Sequence, residues 1–250
     1  MRIFITFALV ATCMSASAQK DITEQTGGWI MYFGNHKLSE KFSLHTEYQF
    51  RRANFVSDWQ QSLARIGLDY HFNKQNSLTA GYGWIVSFPY GEQPIAINTT
   101  EHRIWEQFIT QSSSGRFYFH HRYRLEQRFI ENAILDSNGN KVVNGFRFRQ
   151  RARYRFMVSI PINNKTMVDK TLFFSAYDEP FLGFGEGIGK NILDQNRLYF
   201  ALGWRFNSHT NVQLGYLNQI IVKSNGVQME RNHNLQLSWT YNLDFMKSEK

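Results

Sequence analysis

Phe146-Arg147-Phe148-Arg149-Gln150-Arg151-Ala152-Arg153-Tyr154-Arg155-Phe156 places an arginine at every second position. Successive side chains of a β-strand point to opposite faces, so this stretch has one guanidinium face and one mostly apolar face. A helical winding would spread the same arginines around its circumference and leave no amphipathic side. The spacing predicts a strand held between two very different environments.

The same period recurs on either side of it. Phe42, Leu44, Thr46, Tyr48 and Phe50 alternate with Ser43, His45, Glu47, Gln49 and Arg51. Alternation of this kind continues through 64–72, 77–88, 117–129, 197–206, 211–216 and 234–245, and less cleanly through 29–36, 102–111 and 168–178. Many of these runs reach the ~9–11 residues that cross a bilayer at a tilt. Aromatics such as Phe42, Phe50, Phe72, Phe88, Phe206 and Phe245 stand near the ends of the apolar faces, as an interfacial girdle requires. Tight turns are expected at 73–76, 112–115 and 207–210, with 161–165 in the same short class because Pro161 stands at a strand end. Longer connections are expected near 89–101, 131–145, 180–196 and 223–232.

These features predict an all-β fold, an antiparallel up-and-down transmembrane β-barrel. Eleven strands are legible, but bacterial barrels of this kind have even counts. The expected number is therefore 12, with a strand hidden in 19–28 or in the Gly-rich 180–196, and 10 as the alternative if 29–36 does not span. The runner-up is a soluble periplasmic barrel or sandwich with the aromatic face as its core.

The ends of the chain agree with export. Residues 1–18 read as a secretory signal peptide: Arg2, an apolar run from Ile3 to Met14, and a small-residue cleavage site at Ala16-Ser17-Ala18. Cys13 lies within it, so the mature chain is expected to have no disulfide or thiol chemistry. A lipoprotein reading through Cys13 is poor because Thr12 precedes it. The remainder divides into a lead-in at 19–27, a single barrel domain at 28–245 and a tail at 246–250. The last strand, 234–245, ends in alternating aromatics like a terminal strand presented for assembly.

The 28 Lys+Arg against 20 Asp+Glu give a formal +8, and loss of Arg2 with the signal segment leaves +7. A basic balance suits nucleic acid, but export argues against that partner. Mean hydropathy is −0.43 and aromatics make up 16%, the dilution expected when apolar residues occupy every second position.

The aromatic start around Trp29, the run Arg122-Tyr123-Arg124-Leu125-Glu126-Gln127-Arg128, the arginine-alternating strand after it and Tyr177-Asp178-Glu179-Pro180-Phe181 together resemble the uncharacterised bacterial family known as domain of unknown function 2490. The likeness covers nearly all of the mature chain. It implies an exported, barrel-like outer-membrane protein and no activity, so no functional residue is carried over from it.

An arginine facing lipid near the midplane costs about 2–4 kcal/mol in a barrel. Five in one strand would overwhelm an ordinary net stability of about 5–15 kcal/mol. Arg147, Arg149, Arg151, Arg153 and Arg155 are therefore expected to face the lumen, beside Arg122, Arg124 and Arg128 of the preceding strand. Glu126 is the acid on that wall, and Glu47, Asp69 and Glu106 are the expected partners from across the lumen. Asp178-Glu179 is a pair at a strand end, for loop ordering or a lumenal ion pair.

Two functional readings follow. Part of the basic wall faces water and makes a passive channel or a binding barrel for small anionic solutes. Alternatively the ladder is locked by acids in a closed structural barrel whose loops do any recognition. A lipid-acting outer-membrane enzyme comes third. His121 interrupts an apolar face but has no legible serine and acid beside it, and His120 and His121 point to opposite faces, which disfavours a metal site. Gly183, Gly185, Gly187 and Gly189 lack the context of a phosphate-binding loop. No cofactor, metal site or catalytic residue is expected. Outer-membrane lipid is the expected surroundings, and the oligomeric state stays open.

Overall fold

The computed structural model describes residues 20–92, 95–189 and 191–246. The segment 1–18, expected to be a signal peptide, and the last four residues of the expected tail lie outside them. The described chain forms β1 (Asp21–Lys37), β2 (Phe42–Ala53), β3 (Asp58–His71), β4 (Asn76–Ser87), β5 (Thr99–Ser114), β6 (Phe117–Leu135), β7 (Lys141–Pro161), β8 (Thr171–Phe184), β9 (Leu193–Arg205), β10 (Thr210–Val222) and β11 (Gln228–Tyr241). They make one closed barrel in sequence order, and the described residues include no helix.

The expected 12 strands, and the alternative of 10, are corrected to 11 among the described residues. An even count is needed only where every neighbour is antiparallel. Here the seam is parallel: β1 pairs with β11 from Asp21↔Gln228 to Phe33↔Thr240. From Asp21 on, the expected lead-in and the doubtful 29–36 are one 17-residue strand, β1. Among the described residues of 180–196 no further strand lies between β8, which runs to Phe184, and β9, which begins at Leu193.

The alternating apolar face points outward. Ile66, Leu202 and Trp239 are 52%, 55% and 45% exposed on the outer face, while Glu126 and Asn234 are 1% exposed inside. The arrangement in which the alternating aromatic face forms the core is thereby excluded. One small apolar cluster does sit in the lumen: Trp29, Met31, Tyr199, Ala201 and Leu217, with Phe33 and Tyr177 packed against it. Trp105, wholly buried, lies across a pair of facing glycines, Gly67 and Gly81. A Cβ on Gly81 would stand 2.6 Å from Trp105 Cζ2, so the indole fits only because that wall has no side chain.

The rims differ. One carries the turns 38–41, 72–75, 115–116 and 206–209, but also 162–170, which is longer than the tight turn expected there. The segment bridges back through Asn163 and Thr171 side chains rather than reversing at once. The other rim carries 54–57, 88–98, 136–140, 185–192 and 223–227. The expected loop at 131–145 is largely strand, because β6 and β7 continue past their neighbours as a two-stranded ribbon. A bulge at Glu131/Ala133, with Gly145 opposite at φ 70°, re-aims that ribbon.

Candidate functional site: the charged lumen and its blind cavity

Strand register brings the charges together. Across β6 and β7, Arg124 faces Arg153, Arg128 faces Arg149, and Glu126 faces Arg151. Like charges directly opposite repel, so the hairpin needs acids from elsewhere. Glu126 accepts hydrogen bonds from Arg151 (2.7 and 3.0 Å), Arg153 (2.7 Å), Arg103 (3.2 Å) and Arg65 (3.4 Å). Glu179 on β8 takes Arg122 at 2.5 Å and Arg153 at 2.8 Å. Glu47 on β2 takes Arg65 at 2.6 Å, and Glu101 on β5 takes Arg103 at 2.5 Å and Arg128 at 2.9 Å.

Aromatic plates complete this layer. Arg51 and Arg197 stack on Trp29 at 4.2 and 5.1 Å, and Arg153 on Phe181 at 4.2 Å. Glu126, Trp29 and Phe181 are 1%, 1% and 0% exposed. Side chains that lined a water-filled bore would keep surface open to water; these do not, so the lumen is filled at this level.

Toward the rim of the longer connections, Tyr90, just after β4, anchors to β11. Tyr90 donates its hydroxyl to Glu230 at 3.1 Å, and Lys223 ion-pairs with the same carboxylate. Burial, then the neighbouring Glu230 charge, pushes the Tyr90 hydroxyl above its ordinary pKa.

Toward the opposite rim the lumen opens into a cavity of about 470 Å³, its mouth between Lys74, Gln75 and Asn242. Its acids are already engaged: Asp69 accepts from Asn35 and Thr79, Glu47 from Arg65 and Gln49, and Glu179 from Arg122 and Arg153. Several of its cations are not matched by a carboxylate. Arg124 binds the Gln107 amide oxygen at 2.7 and 3.1 Å. Among the described residues Arg155 has no hydrogen-bond or ion-pair partner; its guanidinium lies 5.4 Å from the Tyr177 ring, and its Nε is buried and unpaired. His120 Nδ1 and Arg122 Nε are likewise buried without partners.

The residues singled out in the sequence fall into three groups. Arg122, Arg124, Arg151 and Arg153 are buried inside, Arg128 is partly buried on Glu101, Arg155 lines the cavity, and Glu47, Asp69 and Glu126 are the interior acids. Arg147 and Arg149 share the parity of Arg151 and Arg153 but stand at the rim, because β7 outruns β8, whose pairing with it begins at Gln150↔Phe184. Glu106 is corrected. It shares the outer face with Ile104 and Phe108 and accepts from Gln127 at 3.1 Å. Asp178 and Glu179 are not at a strand end but within β8, and they part company: Asp178 points outward to Asn196 (2.9 Å), Glu179 inward.

The sequence reading passed over Arg51, Arg65, Arg103, Arg197, Glu101 and Glu230. Arg51, Arg65 and Arg197 stood on the polar side of alternating runs, so parity was the available signal. Glu101 fell in a presumed loop. His121 binds the Tyr154 hydroxyl at 2.8 Å on the outer face. Ser43 hydrogen-bonds His71, but Asp69 is spent on Asn35 and Thr79, and Ser43 is only 2% exposed. Nothing there makes a presented nucleophile. Among the described residues no group of His, Cys, Asp or Glu is arranged to hold a metal ion.

The family profile described as protein of unknown function DUF2490 matches residues 26–230. The chain belongs to this family. The match runs from within β1 into β11, so the family spans nearly the whole barrel, including both sides of its parallel seam. No curated protein and no solved structure matches the chain. DUF2490 membership carries no activity, and the lumen itself has to supply the functional argument.

Proposed function

We propose that this DUF2490 protein is an outer-membrane β-barrel that holds small anionic solutes in the cavity at its short-turn rim and does not conduct them. The observation that carries this reading is Arg155, a lumenal guanidinium at an open cavity that makes no ion pair or hydrogen bond to an acid among the described residues, while nearby Glu179 is spent on Arg122 and Arg153. A guanidinium so placed gains most from an anion, to which it offers planar paired donors. The outer apolar face and the signal-like first 18 residues support the outer-membrane address. The reading is of a binding protein, not an enzyme.

Binding is favoured over passage because the charge layer behind the cavity is filled. The closed structural barrel shares that layer but gives the cavity no occupant. Calorimetric titration of sodium phosphate and sodium acetate into the purified protein in detergent separates them. Saturable binding that Arg155→Gln weakens at least roughly tenfold, the loss of one charge-assisted contact, is expected. No saturable heat from either anion would refute the reading. Recovery of the protein in the soluble periplasmic fraction without detergent would refute the address.

A further inference from the structure

The cavity has two unlike walls. On β6 and β7 stand Arg122, Arg124, Arg155 and His120. Beside them, on β8 and β9, stand Tyr177 and Tyr199, with Tyr177 next to Arg155, and across from them on β1 stand Met31 and Phe33. β1 lies five strands from β6 in one direction round the barrel and six in the other, so Met31 and Phe33 oppose the cations, while β8 and β9 follow β7 and carry the apolar surface round from Arg155. The Tyr177 and Tyr199 rings are 4.8 Å apart, and Phe33 and Tyr177 pack on the lumenal apolar cluster.

An inorganic anion would engage the cationic wall alone and leave the aromatic wall wet. We infer that the natural ligand is an amphiphilic monoanion: an acidic head group seated on Arg155 and its neighbours, joined to an apolar, ring-sized body that lies against Phe33, Tyr177 and Tyr199. The cavity, about 470 Å³, is within the ~300–1,000 Å³ range of small-molecule pockets. This inference rests on the anion-binding reading above and narrows it.

The test uses 3-phenylpropionate, acetate and the neutral 3-phenylpropanol, titrated calorimetrically into the full-length protein in detergent. The acid is expected to bind at least roughly tenfold more tightly than acetate, from burial of the ring, and more tightly than the alcohol. Phe33→Ser should narrow the ratio between acid and acetate. Arg155→Gln should weaken both anions, while Arg155→Lys, which keeps the charge, should retain binding and so exclude misfolding as the cause.

Equal affinity for acetate and 3-phenylpropionate, both weakened by Arg155→Gln, would overturn the amphiphile inference and leave anion binding standing. Binding by neither anion would overturn both. Binding of the alcohol as tightly as the acid would show that charge plays no part, and would also overturn both.

Discussion

Glu126 and Arg151 face each other across the β6–β7 ladder, and two guanidinium nitrogens of Arg151 donate to a single Glu126 oxygen at 2.7 and 3.0 Å. The other oxygen serves Arg65, Arg103 and Arg153. One carboxylate thus offsets a crowd of buried cations, and its loss would leave them uncompensated. Glu126→Gln is expected to lower stability by about 3–5 kcal/mol, the usual cost of breaking a buried charge network from one side. A urea midpoint like that of the wild type would contradict this.

The Trp105 indole makes a second, purely steric prediction. It occupies space that exists because Gly67 and Gly81 have no side chains. Gly81→Ala puts a methyl against the indole and the Ile66 carbonyl, and should destabilise by about 1–3 kcal/mol as overpacking does. The same replacement at Gly115, where nothing lies within 4 Å but φ is 58°, would cost backbone strain alone and leave Trp105 fluorescence unchanged. A Trp105 emission unaltered in Gly81→Ala would be the contrary result.

Tyr90 gives a pH dependence of known sign. An unfolded tyrosine ionises near pH 10, and in the fold burial and Glu230 keep Tyr90 protonated to higher pH. The stability it contributes is therefore whole below about pH 10 and drains away as pH climbs toward the folded value. Proteolysis of 88–98 should accelerate in that alkaline window, and Tyr90→Phe should flatten the dependence. Cleavage independent of pH in the wild type would disprove the role of Tyr90 as the anchor.

Strand identity was legible because the period of two is a local property: alternation in 146–156 or 234–245 can be read without knowing the neighbours. The lumenal sense of Arg151 and Arg153 followed from the cost of the opposite arrangement. Three things depended on long-range geometry and were not legible. The parallel seam depends on how Asp21 and Gln228 meet, though they are far apart in sequence. The place of Arg147 and Arg149 at the rim rather than deep in the wall depends on where β8 stops. Glu106 lay on the apolar parity of its strand beside Ile104 and Phe108, and its charge argued for the lumen more loudly than its position argued against it. The pairing of cations with acids was hardest to read, since Glu126 draws its partners from β3, β5 and β7.

The seam yields a prediction about assembly. β11 is hydrogen-bonded to β10 on one side and β1 on the other, and the chain beyond it continues beside β1 through Lys37 N to Leu243 O (2.8 Å) and Phe245 N to Lys37 O (2.9 Å). Deleting 240–250 removes those bonds and opens the barrel at that rim, leaving unpaired backbone groups in an apolar setting. Loss of the heat-modifiable folded band in cells is expected. A truncated protein at normal membrane levels would show that the tail is dispensable.

Whether the barrel is shut is the claim on which the rest depends, and conductance across a planar bilayer measures it most directly. With Glu126, Trp29 and Phe181 filling the lumen behind the cavity, the inserted wild-type protein should pass no steady current in potassium chloride. A stable, anion-selective conductance, reduced when Arg149, Arg151 and Arg153 are replaced together by serine, would mean that the lumen is a channel and that the blind-cavity account is wrong.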